Sequence, residues 1–180
     1  MVLAAGGGSR FASSEHKLLA AFRGRPLVTW ALEHAVAAAL DGTLVVTGAV
    51  DLGPVLPDGV LAVRNDRWAE GQATSLQAAV GWAAGEGFDA IVVGLGDQPL
   101  IPPEAWLAVA RSSSPIAVAE FGGERRPPTR LAASVWELLP TGGDEGARVV
   151  MARHPDLVEA VACRGQPIDI DTLEDLAQWS

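Results

Sequence analysis

Apolar residues fall into short runs, and the runs alternate between two periodicities. Residues 2–5, 43–48, 59–64, 89–95, 115–120 and 157–162 are brief and rich in Val, Ile, Leu and Ala, which predicts buried strands. Residues 27–40, 74–84, 102–111, 145–153 and 172–179 repeat their apolar positions at helical spacing. Pro26 suits a first helical turn, and Thr74 with Gln77 stands in capping-box register. Alternating strands and helices predict an α/β fold, a mostly parallel sheet with helices on both faces. With no repeat, linker or low-complexity segment in view, residues 1–180 read as a single domain. Ligands of such sheets gather at the carboxyl ends of the strands. The turns after Ala5 and after Leu95 are therefore where chemistry is expected.

Composition narrows the class. At 49% hydrophobic and 19% charged over 180 residues, the chain can bury a core and is not disordered. No apolar run reaches membrane-spanning length. The single cysteine, Cys163, excludes an intrachain disulfide, and the scattered His16, His34 and His154 do not make a zinc site. The first strand opens at Val2, so no signal peptide is expected ahead of it and a cytoplasmic protein is the simplest expectation. So short a lead leaves the true N-terminus open. A net charge of −9 argues against a nucleic-acid backbone as partner. Arg10, Lys17, Arg23 and Arg25 nevertheless crowd the first part of the chain, which suits a small anionic ligand.

The first strand runs directly into Gly6-Gly7-Gly8-Ser9-Arg10-Phe11. Consecutive glycines let backbone approach a ligand closely, and successive N–H groups form an anion-binding concavity. Arg10 and Lys17 add charge suited to a polyphosphate. The loop is not a Walker A motif, which ends Gly-Lys-Ser/Thr. Nor is it a dinucleotide fingerprint, because Phe11 takes the third glycine's place and Thr47-Gly48-Ala49 supplies no ribose acid. After Leu95, Asp97 leaves an apolar strand within Gly96-Asp97-Gln98-Pro99, as a hard oxygen ligand for Mg2+ or as an ordinary turn aspartate. Asp169 and Asp171, two apart in an extended segment, point the same way and repel unless a cation or donors compensate. Asp171 is also placed to cap the last helix, in competition with Thr172 and Asp175.

Taken in order, these segments resemble the MobA-like nucleotidyltransferases, and within them the molybdenum cofactor cytidylyltransferase branch. The resemblance rests on Leu3-Ala4-Ala5-Gly6 through Ser9, Arg10 and Lys17, then Gly24-Arg25-Pro26-Leu27. It continues with Gly71-Gln72-Ala73-Thr74-Ser75-Leu76, the Gly-Asp-x-Pro at Asp97, Gly143-Asp144-Glu145-Gly146-Ala147-Arg148, and Asp169-Ile170-Asp171-Thr172. It implies a three-layer Rossmann-like nucleotidyltransferase fold. Leu3, Ala4, Ala5, Gly6, Gly7, Gly8 and Ser9 would line the nucleotide, with Ser75 near base or ribose. Arg10 and Lys17 would act on the phosphates. Asp97 would hold Mg2+, helped by Asp169 or Asp171, and Asp144 with Arg148 would shape the acceptor side. In this family Leu-Ala-Ala-Gly accompanies cytidine transfer, which implies CTP as donor; the resemblance as a whole implies molybdopterin as acceptor and a molybdenum oxidoreductase as partner. Trp68 is a further candidate nucleotide contact.

Two segments depart from the family pattern. The loop from Arg10 to Lys17 is long, with Ala12-Ser13-Ser14 where glycine is usual. Arg125-Arg126-Pro127-Pro128-Thr129-Arg130 replaces a Gly-His/Asn-Pro-Val that faces the acceptor in relatives, and by itself reads as a solvated basic loop before a strand. Another phosphorylated acceptor, or a non-catalytic carrier of the cofactor, stay open. A nicotinamide oxidoreductase is disfavoured by Phe11 and the missing ribose acid.

Overall fold

The computed structural model describes every residue except Ser14. The long loop's serine pair is thus only half within the described residues. In chain order the elements are β1 (Val2–Ala4), β2 (Ala21–Phe22), β3 (Arg25–Pro26), α1 (Leu27–Ala37), β4 (Thr43–Thr47), β5 (Val60–Arg64), α2 (Gln72–Gly85), β6 (Ala90–Leu95), α3 (Pro103–Ala110), β7 (Ile116–Phe121), β8 (Glu124–Ala132), α4 (Arg148–Arg153), β9 (Val158–Ala162) and α5 (Leu173–Trp179). Seven strands form one sheet in the order β5-β4-β1-β6-β8-β7-β9, and β2 and β3 form a separate hairpin. Every pairing in the large sheet is parallel except those made by β8, which runs against both β6 and β7. This is the mostly parallel α/β sheet expected from the alternating pattern. The longest apolar helix present is too short or too polar to cross a membrane among the described residues.

Strand residues alternate between two cores, as the two-residue side-chain period requires. Val2, Ala4, Val45, Val92 and Ala117 pack under α1 and α3 with Leu32, Trp106 and Val109. Leu3, Val46, Ile91, Val93 and Ile116 pack on the opposite face with Leu76, Ala79 and Val150 from α2 and α4. A third, smaller cluster of Phe22, Leu27 and Ile170 receives Trp179 and so holds α5 against the β2–β3 hairpin.

Several local expectations fail for identifiable reasons. α1 ends at Ala37 rather than 40, because Ala39 adopts a left-handed φ of 51° that cannot continue the helix. Pro26 precedes the helix as its cap residue rather than lying in the first turn. α2 begins at Gln72, two residues early, so Thr74 and Gln77 form no capping box. The Thr74 hydroxyl bonds back to the Gly71 and Arg67 carbonyls, and the Gln77 amide reaches Leu139 and Pro140. α4 starts at Arg148 rather than 145, because Gly143 and Gly146 hold left-handed φ values of 89° and 50°.

The largest difference is β8. The basic, proline-containing segment is not a solvated loop but six residues of a nine-residue strand in the middle of the sheet. Its prolines are accommodated because the β7 register jumps between Val118 and Ala119. Val118 pairs with Thr129, Ala119 pairs with Arg126, and Pro127–Pro128 fall in the bulge, where missing N–H groups cost no ladder bonds.

One glycine makes the α3 core possible. A Cβ on Gly94 would sit 2.3 Å from Trp106 Cη2, and Trp106 is 2% exposed. Gly94→Ala should therefore destabilise the fold by about 1–3 kcal/mol through overpacking. Urea unfolding should show a lower midpoint at unchanged slope.

Candidate active site

The glycine loop rises from β1 and is tied down at three points. Gly8 holds a φ of +62°, and a Cβ there would lie 3.1 Å from the Lys17 Cβ. Gly7 lies against the Trp68 ring, where a Cβ would come within 3.1 Å. His16 closes the third point. Its Nδ1 accepts the Leu18 N–H at 3.2 Å, which leaves Nε2–H to donate to the Gly6 carbonyl at 3.1 Å. Burial lowers the His16 pKa, with the Lys17 charge adding to it against the Gly6 bond, so the ring is neutral at pH 7. Nothing in its spacing marked this histidine; only the folded loop brings it over Gly6.

Lys17 is the charged centre of the site. Its Nζ lies 2.7 Å from Asp97 Oδ2 and 2.8 Å from Asp171 Oδ1, and the side chain is 9% exposed. Burial alone would lower its pKa, but the Asp97 and Asp171 carboxylates outweigh burial and hold it above the ordinary lysine value. Arg10, largely exposed, joins from the loop with Nη1 2.9 Å from Asp171 Oδ2. Both basic residues expected on phosphate are thus paired with carboxylates here.

The C-terminal aspartates are registered by Ile170, which is fully buried and donates its N–H to the Asp97 carbonyl at 3.0 Å. Asp169 and Asp171 both reach the Asp97 turn but take different partners. Asp171 neutralises Lys17 and Arg10. It does not cap α5, whose capping box is Thr172 with Asp175. Asp169 Oδ1 accepts from the buried Gln98 amide at 2.9 Å, and its Oδ2 lies 3.8 Å from Arg126 Nη1. Burial, then the neighbouring Asp97 charge, raises the Asp169 pKa.

This donor set fits a hard divalent cation. Among the described residues Asp97 Oδ1 is buried without a hydrogen-bond partner, and the second carboxylate beside it, Asp169, is the one not consumed by Lys17. Among the described residues no group of three or more His, Cys, Asp or Glu side chains could hold a metal alone. One or two carboxylates completed by phosphate oxygens is the arrangement Mg2+ ordinarily accepts.

A cavity of about 330 Å3 adjoins these groups, lined by Ala5, Gly6, Gly7, Trp68, Ser75 and Asp97. Ser75 Oγ accepts from Asn65 Nδ2 at 3.0 Å, so its own proton is left for a ligand. Asn65 is oriented by the Arg67 N–H on its Oδ1 and also binds Thr74. It links the end of β5 to the start of α2 and carries no motif that would have revealed it. Asp144 lines this same cavity, whereas Arg148 lines an adjoining cavity of about 280 Å3. The two residues expected together on the acceptor side are therefore divided. Arg23 and Arg25 do not join the site: Arg23 binds the Trp179 carbonyl and Arg25 pairs with Glu33 over the Trp30 ring. Sequence proximity had overstated the local positive charge.

Comparison with known proteins identifies the relatives of this chain. The family model described as MobA-like NTP transferase domain matches residues 1–158. A molybdenum cofactor guanylyltransferase from Cereibacter sphaeroides is 30% identical over 99% of this chain and 93% of its own length. The Rv0371c protein of Mycobacterium tuberculosis is 26% identical and superposes with a TM-score of 0.82 over 98% of this chain and 94% of its own. A manganese complex of Rv0371c superposes at 0.73, with 23% identity over 99% and 95% of the two chains.

Lys17 removal should leave Asp97 beside Asp171 with only the largely exposed Arg10, paired with Asp171, as a nearby cation. Lys17→Met is expected to cost about 2–3 kcal/mol, below the loss for a fully buried pair because both carboxylates keep some solvent contact. Adding Asp97→Asn should recover part of that loss in a double-mutant cycle by chemical unfolding.

Proposed function

Because the chain belongs to the MobA-like NTP transferase family, we propose that it moves a CMP group from CTP to the phosphate monoester of molybdopterin, releasing pyrophosphate. That it is a nucleotidyltransferase follows from the family. The donor and acceptor are the proposal. The observation that carries it is the meeting of the glycine loop, Lys17 and Asp97 at the carboxyl ends of β1 and β6.

A phosphate oxygen of the acceptor attacks the α-phosphorus of CTP in line, forming a new P–O bond as the bond to pyrophosphate breaks. The attacking oxygen is already anionic, so no side chain is needed as general base. Catalysis then rests on positioning and on charge stabilisation. Lys17, held fully charged by its carboxylates, meets the negative charge that develops on the leaving pyrophosphate, with Arg10 beside it. The glycine-loop backbone and the free Ser75 proton bind the nucleotide, and Trp68 walls the cavity. Asp97 and Asp169 would hold Mg2+, which supplies Lewis-acid polarisation of the phosphates when bound. The manganese complex of Rv0371c supports a divalent-metal requirement. The same reading expects action in the cytoplasm and transfer of the product to a molybdenum oxidoreductase.

CTP is favoured by Leu3-Ala4-Ala5-Gly6, the sequence that accompanies cytidine transfer in the family. GTP is the second reading, favoured by the relative named a guanylyltransferase. Pyrophosphate release measured with CTP, GTP and ATP in Mg2+, with and without molybdopterin, decides between them. The expected result is release from CTP only when molybdopterin is present; molybdopterin-dependent release from GTP alone would establish the second reading. Binding of nucleotide without release under any condition would instead favour a carrier or another acceptor.

Asp97→Ala should reduce turnover to background while circular dichroism shows an intact fold. Loss of folding would make Asp97 a structural carboxylate.

A further inference from the structure

The second cavity is unusual for so acidic a chain. Its walls are apolar, built from Leu76, Val93, Leu95, Leu131 and Met151, yet Arg125, Arg126 and Arg148 line it against a single carboxylate, Glu145. Among the described residues neither Arg125 nor Arg148 forms an ion pair, in a chain of net charge −9 that had carboxylates to spare. The cavity is contiguous with the glycine-loop cavity, sharing Leu3, Gln72 and Leu95. Arg126 points from this cavity toward the carboxylate cluster, its guanidinium 3.8 Å from Asp169.

The bulge explains how the arginines come to be there. At Pro127–Pro128 two residues leave the β7 pairing, which re-aims the strand segment carrying Arg125 and Arg126. Arg148 enters from the first position of α4. Unpaired guanidinium groups beside apolar walls suit a ligand with an apolar or flat body and anionic ends.

We propose that Arg125 and Arg148 form a second anion site that selects acceptors carrying an anionic group remote from the reacting phosphate. The proposal rests on the transferase reading. In that frame Arg126, beside Asp169, takes the reacting phosphate, the acceptor body fills the apolar cavity, and Arg125 with Arg148 takes the distal anion. The acceptor is then a phosphate monoester with at least two separated anionic groups.

The test titrates the full chain, in Mg2+ buffer, with 4-carboxyphenyl phosphate and with the isosteric 4-carbamoylphenyl phosphate, by calorimetry. The carboxylate probe should bind about tenfold or more tightly than the amide probe, as for a charge-assisted bond. Arg125→Ala/Arg148→Ala should abolish that ratio while leaving the amide probe's affinity nearly unchanged. Equal affinities in the unaltered chain, a ratio that survives the double substitution, or no binding of either probe would overturn the proposal. CTP titration of the same samples reports separately on the nucleotide site. A chain that discriminates the probes but does not bind nucleotide would retain the anion site and refute the transferase reading.

Discussion

The pairing of Lys17 with Asp97 and Asp171 is the constraint on which the site depends. It joins positions 80 and 154 residues apart in the chain, from the N-terminal loop, the turn after β6 and the segment before α5. A nearly buried ammonium requires close anionic partners, and the two carboxylates require it in return. The Ile170 N–H on the Asp97 carbonyl adds a backbone tie to the same junction. The consequence is a pre-formed cluster of charges drawn from three distant segments.

The same cluster divides labour between the two C-terminal aspartates. Asp171 is consumed by cations, which leaves Asp169 as the carboxylate beside the orphaned Asp97 oxygen. Gln98 holds Asp169 from one side and Arg126 approaches from the other. The carboxylate is therefore held between the Asp97 turn and Arg126, a residue that lines the cavity beneath β8. A sheet with one reversed strand makes that geometry available, because β8 brings a basic segment back alongside the carboxyl end of β6.

Much of this was legible in the residues. Buried apolar runs marked six strands of the sheet, and ordered segments at Gly6, Gly71, Asp97, Asp144 and Asp169 pointed to the family that the comparison then showed. Other features were not legible. Two prolines hid β8, because proline ordinarily argues against an interior strand and the bulge that tolerates it belongs to the pairing with β7. His16 and Asn65 belong to no motif in the sequence. Each gains its role from partners on other elements, the Gly6 carbonyl in one case and Ser75 in the other.

By itself the sequence determined the α/β layering, the positions of the two functional turns and the kinds of charge available, because periodicity and local glycine chemistry are short-range properties. Tertiary structure alone decided which aspartate pairs with Lys17, that Arg23 binds the C-terminal helix and Arg25 binds α1 instead of a ligand, and that Asp144 and Arg148 line different cavities. Those outcomes depend on electrostatic and packing contacts between distant segments. Charges interact through the distance between them in space, and one-dimensional spacing does not contain it.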